Sequence, residues 1–223
     1  MTHVDSTLQQ KRARRVLLLI AGIPVAMMLA ATVLWWVVEA GYVDVVDRFG
    51  TANHGDLITP PRSVTETVFR HEGVAEVLWR DLPVKWRLLV VQRGETCDIV
   101  CQRQLYQTRQ IHLALGKDFN RVDRVLLGDT APDGVLLVGD ERSQGDAAKP
   151  RSLAPWLARE HQGLTSLTLP PSMLEALVPE VSVSRAQWYV VDPAGWIMMR
   201  MSDELHYKDV ISDLRFLLKH SGA

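Results

Sequence analysis

Residues 16–38 read VLLLIAGIPVAMMLAATVLWWVV, 23 positions without a charge. A helix needs about 20 predominantly apolar residues to cross a bilayer core, so this run is long enough to span. No other feature constrains the chain as strongly. A stretch so apolar cannot form the wet surface of a domain, so the folded part has to be built from the residues C-terminal to it. Pro24 is tolerated inside lipid, where it can kink the helix. Trp35 and Trp36 stand where the helix meets the far interface, a common position for aromatic anchors.

The flanks orient the span. Lys11, Arg12, Arg14 and Arg15 precede it against one acid, Asp5, whereas Glu39, Asp44 and Asp47 come after it. Basic flanks stay cytoplasmic. The chain is therefore expected to be a single-pass protein of the inner (plasma) membrane, with a cytoplasmic N-terminus and its domain on the periplasmic side. A cleaved signal peptide is the other reading, but its apolar core runs about 7–15 residues and ends at small residues. Here the run is longer and ends in Trp-Trp-Val-Val-Glu, which favours an uncleaved anchor. The expected division is a tail at 1–15, an anchor at 16–38, a juxtamembrane tether at 39–61 and an exported domain at 62–223.

The formal net charge is −1. The first 15 residues hold four bases and one acid, so they carry +3 and the remainder −4. This mildly acidic remainder has no basic stripe, which argues against nucleic acid as a partner. Residues 39–223 are enough for one domain with a sizeable core. Thr59-Pro60-Pro61 cannot continue a helix, in keeping with a tether, and residues 140–150 (DERSQGDAAKP) read as a surface loop.

Residues 86–91 (WRLLVV) are a continuous apolar run, the signature of a strand buried on both faces. Residues 101–115 have helical periodicity, with Gly116 as a C-terminal stop, and 122–127 (VDRVLL) read as a second strand. Strand, helix, strand predicts a parallel βαβ unit. Later, WYVV and WIMMRM flank Asp192-Pro193-Ala194-Gly195, whose proline and glycine suit a type I turn, so this is a β-hairpin. Residues 206–219 form an amphipathic helix. The expected fold class is α/β, with a thioredoxin-like central sheet flanked by helices.

The only two cysteines, Cys97 and Cys101 in Gly94-Glu95-Thr96-Cys97-Asp98-Ile99-Val100-Cys101, fall at the junction of the first strand and the helix. Residues four apart on a helix share a face, about 5–6 Å apart at Cβ, close enough to bridge. Unpaired N–H groups at the helix start, with Thr96 or the preceding turn as cap, favour a thiolate. Cys97 is accordingly expected as nucleophile and Cys101 as its resolving partner. Two thiolates also suit a soft ion such as Cu(I). A structural disulfide is the third option, although so short a loop constrains the unfolded chain weakly.

With its anchor, its Gly-x-Thr-Cys-x-x-x-Cys segment after a core strand and its late Tyr-Val-Val-Asp-Pro-x-Gly hairpin, the chain resembles the SCO/SenC group of membrane-anchored proteins. Residues 53–61 (NHGDLITPP) and 105–122 resemble smaller SCO-like proteins of bacterial oxidase operons. The resemblance implies a role in assembling the copper site of cytochrome c oxidase, by thiol–disulfide exchange or transient Cu(I) binding at Cys97 and Cys101. It implies as partners an oxidase subunit or its copper-delivery chaperones. Copper-binding members add a histidine five residues before the hairpin tyrosine. Counting back from Tyr189 gives Ser184, beside Arg185, which would oppose a cation. His206 is a weak candidate for a third ligand, while His112 and the Met198, Met199 and Met201 cluster read as ordinary core or core-edge residues. A non-enzymatic assembly factor with a purely structural pair is the alternative function. A peroxidase-like enzyme ranks last, for want of a Pro-x-x-x-Thr-x-x-Cys segment.

Overall fold

A computed structural model describes residues 3–39, 53–71, 75–139 and 152–221. The expected loop at 140–150 and the tether residues 40–52 lie outside the described residues. The chain forms two compact units, Met1–Ala52 and Asn53–Ala223. In the first, helix α1 (His3–Glu39) starts well before the apolar run and contains Pro24. Its segment Arg14–Val37 is long and apolar enough to cross a membrane, and side chains such as Leu18, Ile20 and Met28 are exposed, as lipid contact requires.

The second unit is a mixed α/β domain with a thioredoxin-like fold. Strand β4 (Trp86–Gln92) is buried at every position. It pairs in parallel with β6 (Val122–Gly128), Leu89 opposite Val125 and Val91 opposite Leu127. Helix α2 (Ile99–Ala114) connects the two, as the expected βαβ unit demands. Gly116, at φ +60°, comes after the end of α2 in the left-handed conformation that its missing side chain permits. The hairpin is also present, as β9 (Gln187–Val191) and β10 (Trp196–Ser202), with β9 antiparallel to β4. Gly195 closes its turn with an N–H bond to Asp192 O at 3.0 Å. A Cβ at Gly195 would lie 2.8 Å from Thr65 Oγ1. Helix α5 (Tyr207–His220) ends the fold.

Strand β1 (Asp56–Ser63) begins inside the stretch expected as tether. Residues 56–61 are edge strand, paired antiparallel to β10, with the register shifting between Leu57 and Arg62 around the two prolines. Proline lacks the N–H of a ladder and is accommodated at a sheet edge or bulge. The middle of the chain adds β2 (Val68–His71), β3 (Ala75–Leu78), α3 (Leu153–Glu160), β8 (Leu164–Thr168) and α4 (Pro171–Leu177). The main sheet runs β1-β10-β9-β4-β6-β8-β2-β3, and a two-stranded sheet pairs β5 (Thr96–Cys97) with β7 (Leu136–Leu137).

Alternation along the strands divides the apolar residues between the two faces. Leu88, Val90, Leu126, Trp188 and Val190 pack with Leu105 and Ile111 of α2 and Val210 and Leu214 of α5. Leu89, Val91, Val125, Tyr189 and Ile197 pack with Phe69, Trp79 and Leu174 on the other side. Met199 and Met201 are fully buried in the first cluster, so the methionines of β10 are core, as expected.

Candidate functional site

The turn leaving β4 is built to present the cysteine segment. Gly94 has φ +76°, a conformation that favours glycine. Its N–H donates to Asp129 Oδ1 at 2.7 Å and its carbonyl accepts from the buried Gln92 amide at 2.5 Å. Thr96 and Cys97 then pair in parallel with Leu136 and Leu137, and Val138 N–H donates to the Cys97 carbonyl at 3.1 Å. The Gln102 amide donates to both the Cys97 and the Val138 carbonyls, at 3.0 and 3.1 Å.

Helix α2 starts after Asp98, whose Oδ1 accepts from the N–H groups of Val100 and Cys101 at 3.1 and 3.0 Å. The cap is thus Asp98, in place of the expected Thr96 or preceding turn. A carboxylate there satisfies orphan donors and complements the helix dipole. Cys97 therefore lies outside the helix, at the end of β5, and only Cys101 lies within its first turn. The two are joined as a disulfide with a Cα–Cα distance of 5.3 Å, inside the range such a bridge requires.

The two sulfurs are not equivalent. Cys97 is 0 % exposed and Cys101 8 %, both buried, and Cys101 borders a crevice of only about 10 Å³, room for at most one water, with Gln92, Arg93, Thr96, Asp98, Gln104, Val181 and Arg185. Three of the cleft's residues carry charge close to the pair. Arg185 Nη1 lies 3.9 Å from Asp98 Oδ2, both side chains being largely exposed. Arg93 donates to Ser182 Oγ at 2.5 Å and sits 3.6 Å from Glu175. On the helix itself, Arg103 is held by the buried Asp203 at 2.5 Å.

Ser184, at the position where copper-binding relatives would place a histidine, uses its hydroxyl locally to accept the N–H of Ala186 at 3.3 Å. His206 is not brought to the cysteines. Its Nδ1 caps α5 by accepting the Lys208 N–H at 3.3 Å, and it lines a separate cleft of about 450 Å³ with Tyr106, Trp188 and Asp203. His112 stacks on Phe119 at 4.0 Å and bonds the Phe119 carbonyl at 2.9 Å, a core-edge histidine. Among the described residues no group of three His, Cys, Asp or Glu is placed to hold a metal. Two sulfurs without a third His, Cys, Asp or Glu among the described residues do not fit a three-donor copper site. The buried amides of Gln92, Gln102 and Gln104, which shape the site, carried no signal in the sequence, since glutamine on a helix or strand is ordinarily a surface residue.

The sequence model of the family described as transmembrane-like, thioredoxin-like, C-terminal domain matches residues 86–221. No curated protein sequence matches the chain. Among solved structures, yeast Sco1 with copper bound is 14 % identical at a TM-score of 0.51, the alignment covering 77 % of this chain and 96 % of that one. Yeast Sco1 in a second structure gives 13 %, 0.51, 70 % and 94 %. A DsbF homologue from Corynebacterium diphtheriae gives 13 %, 0.50, 75 % and 95 %. At these identities the likeness is one of fold, and it includes the SCO group that the sequence resembles.

Proposed function

The chain belongs to the family of transmembrane-like, thioredoxin-like C-terminal domains, and from that premise we propose that it is a membrane-anchored thiol–disulfide exchange protein. The observation that carries the reading is the Cys97–Cys101 bridge at the β4–α2 junction, with Cys101 in the first helical turn. In the reduced pair one thiolate attacks a partner's disulfide. A mixed disulfide forms and one partner sulfur leaves as thiolate. The second cysteine, having lost its proton to solvent, then attacks the first. The intramolecular bridge closes and the partner leaves with both sulfurs reduced. An incoming dithiol returns the pair to its reduced state. Two electrons pass in each direction.

The resemblance to the SCO/SenC group supplies the context: support of cytochrome c oxidase copper-site assembly, at an oxidase subunit or a copper-delivery chaperone. The basic flank before α1's apolar run supports a domain on the periplasmic side of the inner membrane. Once reduced, the two thiolates could take Cu(I) only without a third His, Cys, Asp or Glu from the described residues, so metal-free exchange is the better-supported act. The burial of both cysteines favours the second reading, a structural bridge in an assembly factor that performs no chemistry.

The deciding measurement is a redox titration of the full-length protein in detergent, with subsequent Cu(I) competition on the reduced form. Exchange requires a midpoint above about −300 mV, the upper bound for structural bridges. A lower value would falsify it and leave the structural reading. Tight stoichiometric Cu(I) binding, lost in Cys97→Ser, would overturn the metal-free assignment.

A further inference from the structure

Arg124 stands two positions before Leu126 on β6, so alternation turns it to the same face of the sheet, the one α2 covers. It is 4 % exposed, and a charge buried that deeply is ordinarily paired. Among the described residues this one meets no carboxylate. Its Nη1 lies 3.3 Å from His161 Nδ1, and its Nη2 donates to the Gln162 carbonyl at 3.3 Å. Burial, then the charge of Arg109, hold the His161 neighbour's guanidinium down to about 10, which still leaves it charged at neutral pH. Arg109 of α2 adds a second positive charge. Its own carboxylate contact, to Glu160, is 3.8 Å between partly exposed side chains, and pairs of that kind contribute little.

His161 connects this charge to an opening. The ring is 3 % exposed and is met edge-on by Trp156 at 4.4 Å. Burial and the two arginines keep it uncharged at neutral pH. An arginine only donates, so Nδ1 accepts from Arg124 and the ring hydrogen sits on Nε2. No described residue accepts from Nε2. Among the described residues, the side-chain nitrogens and oxygens sealed from solvent without a partner are Trp79 Nε1, Ser166 Oγ and Gln187 Nε2. His161 Nε2 is not one of them, so its N–H reaches the space that the ring borders.

That space is a pocket of about 520 Å³ between α3 and the start of β8, inside the range of about 300–1,000 Å³ usual for small-molecule sites. Ala154, Leu157, Ala158 and Leu164 give it apolar walls. Ser166 lines it too, and its partnerless hydroxyl is a second unmatched polar group there. The only acid among the described lining residues is Asp133, which is exposed and so screened by solvent. None of these residues borders the crevice at the cysteine pair.

We propose that this pocket binds a free organic monocarboxylate with a compact apolar body. The body lies against the alanines and leucines. A carboxylate oxygen accepts the His161 Nε2–H, and its charge sits in the field of Arg124 and Arg109, which a buried setting screens weakly. A neutral acceptor would take the same hydrogen bond but gain nothing from two poorly compensated cations. An organic cation would be repelled, and an inorganic anion would leave the apolar walls unused. The site stands whether or not the cysteine pair exchanges.

The test uses the full-length chain in detergent, with ¹⁵N-labelled histidine and benzoate as the probe. Benzoate should saturate a single site and shift the Nε2 resonance that is missing in His161→Gln. Benzamide, the same body without the charge, should bind about tenfold more weakly. Benzoate should lose about as much on Arg124→Gln. Because Arg124 is buried, a second variant secures the result. Ala158→Phe, at an exposed position on the pocket wall, fills the mouth, leaves every polar group in place and should abolish the shift. Equal affinity for benzoate and benzamide overturns the inference. So does benzoate binding that survives Ala158→Phe, or the absence of a saturable His161 shift up to about 10 mM.

Discussion

Asp213 binds His54 twice: its Oδ2 accepts the His54 backbone N–H at 2.7 Å, and its Oδ1 pairs with His54 Nδ1 at 2.9 Å. The carboxylate belongs to α5 and is 3 % exposed. It also accepts the Gly55 N–H at 3.0 Å. The first residues of the folded unit are thereby pinned across 158 positions of sequence to its last helix. Gly55 packs closely on β10: a Cβ there would lie 2.5 Å from the Met201 sulfur and 2.9 Å from that of Met199, so those methionines would have to shift.

Removing the acceptor leaves two backbone donors without their partner, one part-buried at His54 and one buried at Gly55. Asp213→Ala is therefore expected to cost about 2 kcal/mol. Urea unfolding of the full-length protein measures it, and a loss below about 0.5 kcal/mol would show that solvent replaces the carboxylate.

The same pair carries a pH signature. The hydrogen bond from Asp213, and after it the charges of Asp213 and Asp209, hold the His54 imidazole above its ordinary value, against some desolvation. A raised histidine contributes stability that is fully present below about pH 6.5 and is lost as pH rises through the higher folded-state value. The difference in unfolding midpoint between wild type and His54→Asn should shrink between about pH 6 and pH 9. A difference independent of pH would refute the role of the charged ring.

His161 works in the opposite sense. Burial, then the neighbouring charges of Arg124 and Arg109, push it down to about 4. Its Nδ1 lies 3.3 Å from Arg124 Nη1, and the ring meets Trp156 edge-on at 4.4 Å. The unfolded chain takes up a proton below about pH 6.5 that the folded state refuses, so stability falls as pH drops from about 6.5 toward 4. The loss is on the order of 3 kcal/mol. His112, also lowered by burial, adds to it. Unfolding of His161→Gln, measured over the same range, should show a flatter profile. An unchanged acid slope would sink the assignment.

Reduction of the bridge provides a fourth check. Cys97 and Cys101 are only four positions apart, and closing so small a loop is worth about 2 kcal/mol by the chain-entropy relation. Denaturation with and without reductant should differ by no more than this. A loss of about 4 kcal/mol or more would mark the pair as a structural staple.

The βαβ unit and the hairpin were readable because each advertises itself locally. Residues 86–91 are apolar throughout, as a strand covered on both faces must be, and Asp192-Pro193-Ala194-Gly195 is turn chemistry between two apolar runs. Strands β1 and β8 were not readable. β1 contains Pro60 and Pro61, which look like a break until the pairing with β10 makes them an edge. β8 reads Leu-Thr-Ser-Leu-Thr, a half-buried strand with little apolar content of its own.

The site divides in the same way. The spacing of Cys97 and Cys101, their place after a core strand, the span before them and the serine at 184 are properties of the chain in one dimension. Which sulfur meets solvent is not. Capping by Asp98 starts the helix between the cysteines, so Cys97 is sealed beside β7 while Cys101, in the first turn, keeps a small exposed fraction. The Arg185 backbone is tied to α2 by the Gln104 amide, 81 positions away. Exposure and electrostatic neighbourhood are set by segments distant in sequence, and only packing brings them together.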